Sequence, residues 1–149
     1  MEQLVVNVIF LALCIWREAR GETIPTKTAI AWVIKNRVDQ KWGNQKTFQD
    51  IVTAPWQFSG MSGVGDPNLV KYPKSYDQTW LDSLAIANTV ARLQGIDTTK
   101  LDTTGGAVFY HDVSIPAAPA AWGNVIECCK SGRVRFYKPK RKELKEGLK

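Results

Sequence analysis

Apolar residues crowd the start of the chain. Over residues 3–20 they fall on nearly every helical face, as expected of a helix buried at the centre of a domain. Gly21 follows and offers a left-handed stop. A second helix is expected from Pro25, with Thr26 close by, until just before Gln40. Its Ala29, Ile30, Val33 and Ile34 recur at helical spacing, and Trp32 and Val38 widen the stripe. Periodicity then fails between Trp42 and Pro73, where Gly43, Pro55, Gly60, Gly63, Gly65 and Pro67 punctuate the chain; only a short helical turn near 48–53 is expected. So long an irregular stretch in a compact domain points to function. A third strong helix is predicted over residues 75–94, ended by Gly95. Trp80, Leu84, Ala87 and Ala91 share one face of it and Ile86, Val90 and Leu93 another, so it should be well buried. Beyond a turn at residues 103–106, residues 107–111 are short and β-prone, 115–119 extended and rich in Pro and Ala, and 134–137 a last extended piece. The pattern predicts a mainly α fold (α+β) with a small extended element.

Composition narrows this to one folded domain. The chain has 149 residues, 44% of them hydrophobic, with six tryptophans, enough for a single core. The net charge of +6 is unevenly spread. Residues 130–149 hold nine Lys/Arg against Glu143 and Glu146, whereas the rest is close to neutral. The division expected is therefore a body, residues 1–138, and a basic tail, residues 139–149. The tail suits a polyanion, whether cell-wall polymer, lipopolysaccharide, membrane surface or nucleic acid, or is a plain solvated terminus; of these an anionic envelope surface is the expected partner. Nucleic acid is not the expected partner, because a nucleic-acid-binding domain carries its basic residues on the fold itself.

The N-terminal apolar run has Glu2 where a signal peptide would be basic, no small-residue cleavage site and Asn7 in its middle. It reads as a core helix, with neither a cleaved signal nor stable membrane insertion expected. Cys14, Cys128 and Cys129 are odd in number and make no disulfide framework, which suits synthesis in a reducing compartment. His111 is the sole histidine and there is no CxxC, so no zinc site and no cofactor are expected.

Glu18, in Cys14-Ile15-Trp16-Arg17-Glu18-Ala19-Arg20-Gly21-Glu22, is the leading chemical candidate. It lies where the apolar helix ends. Burial and the negative end of the helix dipole both favour a protonated carboxyl, as a general acid requires. The competing reading is a glutamate paired with Arg17 or Arg20, which would lower its pKa. Glu22 is a substrate-binding carboxylate, a second catalytic carboxylate or a cap for the next helix; Asp50, Asp66 and Asp112 are further carboxylates in weaker contexts. Gln57, Ser59 and Tyr110 are candidates to hydrogen-bond a substrate, or to serve the fold. Phe58 and Trp122 are candidate stacking surfaces, or core. His111 is a candidate proton-transfer group, or a structural residue.

Several motifs, in order, resemble a known family. They are Trp16-Arg17-Glu18-Ala19-Arg20-Gly21-Glu22, the helix ending Asn36-Arg37-Val38, Phe48-Gln49-Asp50-Ile51-Val52, Gln57-Phe58-Ser59, Thr104-Gly105-Gly106-Ala107-Val108-Phe109-Tyr110-His111, Trp122 and Phe136-Tyr137. The set is similar to the cell-wall hydrolase family of the bacterial spore cortex-lytic enzymes and spans residues 10–138. The resemblance implies a lysozyme-like fold acting on the glycan strands of peptidoglycan. Cleavage would fall at the β-1,4 bond between N-acetylmuramic acid and N-acetylglucosamine, usually by a lytic transglycosylase. Glu18 matches the family's catalytic glutamate. One glutamate protonates the glycosidic oxygen and then takes the proton of the muramic acid 6-hydroxyl, giving a 1,6-anhydro sugar. A hydrolysing muramidase needs a second, well-placed carboxylate, and the sequence offers none as telling as Glu18. The chain departs from the family at Gly132-Arg133-Val134-Arg135-Phe136-Tyr137, where arginines replace an expected histidine. A small, basic, unexported domain of this kind resembles a bacteriophage endolysin, monomeric, made in the cytoplasm and reaching the wall after membrane breach. The rival from another class is a non-enzymatic module binding wall or nucleic acid. An amidase or peptidase lacks its zinc ligands or nucleophile here.

Overall fold

The computed structural model describes residues 2–54, 57–63 and 65–140. Five helices precede one small sheet: α1 (Glu2–Ala19), α2 (Ile24–Asp39), α3 (Phe48–Thr53), α4 (Ser59–Ser62) and α5 (Gln78–Ala91), then β1 (Phe109–Asp112), β2 (Val125–Ser131) and β3 (Val134–Pro139). Short 3-10 turns lie at Trp42–Asn44, Pro67–Val70 and Ala120–Trp122. No described helix is long and apolar enough to cross a membrane.

α1 packs along α5 and against α2 and α3. Its first turns leave Val5 and Ile9 exposed. From Leu11 onward it sinks into the core through Ala12, Cys14, Ile15 and Trp16, so Glu18 does follow a buried segment. The helix enclosed on all sides is α2, whose residues from Ala29 to Arg37 are all buried. Its start is held by Thr23, whose hydroxyl accepts the Thr26 N–H at 3.4 Å, with Pro25 in the first turn. Gly21 does not take a left-handed backbone. The end of α1 closes instead by the Glu22 N–H bonding Ala19 O at 2.9 Å, and the chain turns at once into α2. α5 is shorter than its apolar pattern. It starts after Asp77, and Leu93 lies beyond its last turn, while Gly95 does adopt a left-handed φ of 74°. One face buries Ser83, Ile86, Ala87, Val90 and Ala91, while Ala85, Asn88 and Thr89 meet solvent, so the helix is amphipathic and lies at the surface.

The sheet is antiparallel in the order β1-β3-β2. β2 breaks the alternation that would have announced it, because a bulge at Cys128 shifts the register between Glu127 and Cys129. β3 continues to Pro139 and the Lys140 N–H bonds Asn124 O at 2.9 Å. The sheet thus takes in Pro139, the first residue of the expected basic tail, with Lys140 tied beside it, and residues 141–149 of that tail lie outside the described residues. All three cysteines are free thiols.

Candidate active site

Glu18 occupies the last turn of α1, half-buried, and reaches across to the start of α4. The Gly60 N–H donates to its Oε1 at 3.1 Å. Gly60 is the residue this approach allows: a Cβ there would lie 3.2 Å from Arg17 Cβ and 3.5 Å from Glu18 Oε1. Burial raises the Glu18 pKa above the ordinary value of 4.5, and the charge of Asp66 raises it further, against the opposing Gly60 hydrogen bond. The raised carboxyl stays protonated further toward neutral pH than a free glutamate.

Neither neighbouring arginine neutralises it. Arg17 is buried and turned onto the loop after α4, with Nε and Nη2 on Lys71 O at 3.2 and 3.0 Å and Nη1 on Gly60 O at 3.2 Å. Arg20 stacks its guanidinium on Trp16 at 4.2 Å and donates to Asn68 Oδ1 at 3.1 Å. The ion pairs among the described residues are Lys35–Asp39, Arg133–Asp112 and Arg135–Glu127, none involving Glu18. The ion-pair reading of Glu18 therefore fails, because the two arginines are engaged with Gly60, Asn68 and Lys71.

Asp66 is the carboxylate whose charge Glu18 feels. It caps the 3-10 turn at Pro67, accepting the Asn68 N–H at 2.8 Å, and these bonds together with Ser59 hold its own pKa down. Ser59 thus lies beside Asp66 at the start of α4. Glu22 faces elsewhere: its Oε2 lies beside Gly132 in the β2–β3 turn, 3.4 Å from where a Cβ would stand. Asp50 sits in α3, capped by Thr47. Asp112 pairs with Arg133 at 3.0 Å and has a pKa lowered to about 2, chiefly by hydrogen bonds from Ser114 and from Arg133.

The remaining candidates divide between the two faces of β1. Tyr110 points toward α1. Its ring lies 6.4 Å from Phe58 and 6.1 Å from Phe136, and its phenol pKa is pushed well up by burial and then by the nearby Glu18 and Cys14. Phe109 and His111 point the other way, as strand alternation requires. His111 lies between Trp122 (5.7 Å, stacked) and Tyr137 (5.0 Å), with Nδ1 bonded to Asp112 O at 2.8 Å and Nε2 buried without a partner. Trp122 stacks on Phe109 at 4.6 Å. Phe58 is buried at 2% exposure and offers no face to a ligand. His111 and Trp122 thus form an aromatic cluster separate from the Glu18 face.

Between the two faces lies Arg37, a residue the sequence marked only as part of a motif. Its Nε donates to Val108 O at 2.6 Å and its Nη1 to Gln57 Oε1 at 2.8 Å, and its guanidinium lies over Phe58, Phe109 and Trp42 at 5.3, 5.6 and 5.7 Å. Asn36 beside it donates to Ala107 O and Asp102 Oδ2 at 2.9 and 2.8 Å. These two side chains fix the segment leading into β1. Polar residues ending an otherwise apolar buried helix were the signal for them, since buried polar groups need partners. Among the described residues no group of three or more His, Cys, Asp or Glu is placed to hold a metal.

Comparison with known proteins agrees with this architecture. The catalytic domain of the germination-specific lytic transglycosylase SleB from Bacillus anthracis superposes with a TM-score of 0.61 at 22% identity, over 89% of this chain and 93% of that one. At that identity the likeness is one of fold, an α+β lysozyme-like domain. No curated protein is significantly similar in sequence. The profile described as Cell Wall Hydrolase matches residues 21–137, beginning just past Glu18 and taking in the Asn36-Arg37 pair, the Gly60 loop and the sheet. A match over that much of the sequence settles the family: the chain belongs to the cell wall hydrolases.

Proposed function

We propose that this cell wall hydrolase is a peptidoglycan lytic transglycosylase and that Glu18 is its single acid–base group. The observation that carries the reading is the state of Glu18: a half-buried carboxyl at a helix end, its pKa raised, with no cation among the described residues paired to it and Oε1 fixed by Gly60. Such a group donates its proton to the glycosidic oxygen between N-acetylmuramic acid and N-acetylglucosamine as the bond breaks. The carboxylate left behind then accepts the proton of the muramic acid 6-hydroxyl, whose oxygen bonds to C1. The glycan is cut, a 1,6-anhydro ring closes, and Glu18 returns to its protonated state without water being consumed. Tyr110, close enough to feel the Glu18 charge, is proposed to contact substrate, and Gln57 retains its amide N–H groups for a ligand while Arg37 holds its oxygen.

Asp66 supports a second reading. It is an ionised carboxylate within electrostatic range of the acid, and a hydrolysing muramidase uses such a pair, one residue as acid and one to activate water or stabilise the cation. Products separate the two. Digestion of purified peptidoglycan followed by mass analysis should give 1,6-anhydro-muropeptides; reducing-end muramic acid would assign the hydrolytic pair instead. A role as a phage endolysin, released onto the wall by membrane breach, is part of the same proposal. Its check is co-expression with a membrane-permeabilising protein, which should convert intact cells to lysed ones only when both are present.

A further inference from the structure

Three of the most exposed large apolar side chains among the described residues lie within seven positions: Val70 at 79%, Tyr72 at 72% and Tyr76 at 75%. Every other one is at or below the 58% of Val5. Apolar surface concentrated in this way marks a binding site more often than chance exposure does.

The segment is also anchored. Lys71 O takes two hydrogen bonds from the buried Arg17, whose guanidinium lies under the Tyr72 ring at 4.9 Å from its centroid. Asn68, just upstream, is held by Arg20. One face of Tyr72 is thus covered by a fixed cation and the other is open. The anchor is shared with the acid: Arg17 Nη1 bonds Gly60 O, and Gly60 N–H bonds Glu18. From Glu18 to the Tyr72 ring the contacts pass through Gly60 and Arg17 alone.

We infer that residues 70–76 form a wall of the substrate cleft, on which Tyr72, with Tyr76 beside it, carries a sugar ring of the glycan strand by stacking. This rests on Glu18 being the cleaving acid. A sugar presents a flat array of C–H groups ringed by hydroxyls, which an immobilised aromatic face fits at little entropic cost. Lys71 and Lys74 alternate with the tyrosines, Lys74 Nζ lying 6.0 Å from the Tyr76 ring, and Lys71 also faces Asp66. A strip mixing flat aromatic and cationic groups suits a glycan whose stem peptides carry carboxylates.

The test measures binding apart from cleavage. In a Glu18→Gln background, cosedimentation with insoluble purified peptidoglycan reads affinity directly. Adding Tyr72→Ala should weaken binding about 3- to 10-fold, Tyr72→Phe should restore it because the face remains, and Tyr76→Ala should cost less. With Glu18 intact, Tyr72→Ala should raise KM and spare kcat. Unchanged binding in Tyr72→Ala, or a loss that Phe does not restore, overturns the wall. So does a loss confined to anionic phosphatidylglycerol vesicles, which would make the strip a membrane contact. Cleavage retained by Glu18→Gln would refute the acid while leaving the binding comparison readable.

Discussion

Tyr110 and His111 are neighbours in sequence, yet they face environments of opposite kind. On the Tyr110 side lies a half-buried carboxyl with a raised pKa, bordered by loops that expose tyrosines and an ionised Asp66. On the His111 side lies a closed stack of Phe109, Trp122 and Tyr137, tied back through Arg37. Both faces are aromatic and both hold a titratable group. What separates them is packing: the first leaves a carboxyl oxygen for a ligand, whereas the second encloses His111 among rings, its Nε2 buried without a partner. The proposed chemistry lies on the first face, and the second holds the aromatic cluster.

Substitutions on each face should break the molecule differently. Glu18→Gln keeps shape and removes the proton, so turnover of peptidoglycan should fall by about 10²–10⁴-fold with the fold intact. Its stability should carry a second signature. A carboxyl with a raised folded pKa binds more protons folded than unfolded between the two values, so its contribution to stability is lost as pH rises. The variant should therefore equal the parent in thermal melts near pH 4 and match or exceed it near pH 7. Phe109→Ala on the other face should do the reverse, costing about 3–5 kcal/mol in denaturant unfolding while the protein that remains folded keeps its kcat.

Smaller effects sharpen the contrast. Burial is the main cause of the raised Glu18 pKa and stays in Asp66→Asn, which removes only the smaller contribution of a negative charge; the alkaline limb of the pH–rate profile should move slightly toward acid without a shift in the thermal midpoint comparable to that of Phe109→Ala. A loss as large as that of Glu18→Gln would instead make Asp66 the second catalytic carboxylate. Glu22→Gln should change kcat least, within about twofold, because its carboxylate lies by the Gly132 turn rather than among the groups acting on Glu18.

Much of this was legible in the chain, for identifiable reasons. α1 and α2 carry long apolar periods, and such periods survive folding. Glu18 was visible because it interrupts one. β2 was not, since its bulge at Cys128 and its charged Glu127 and Lys130 erase alternation. For Phe58, His111 and Trp122 the sequence left a core role beside a functional one, and the structure packs all three into aromatic clusters; period-two alternation already sets Tyr110 and His111 on opposite faces. The destinations of Arg17, Arg20 and Arg37 were hidden for another reason. Each is fixed by backbone carbonyls or amides far along the chain, at Lys71, Asn68 and Val108, and no local pattern records such partners.

The account stands on the proton of Glu18. Carbon-13 NMR titration of its side-chain carboxyl, assigned by comparison with Glu18→Gln, measures that proton directly. The account predicts a midpoint above the ordinary 4.5, moving down in Asp66→Asn. A midpoint at or below 4.5, unmoved by Asp66→Asn, would contradict it.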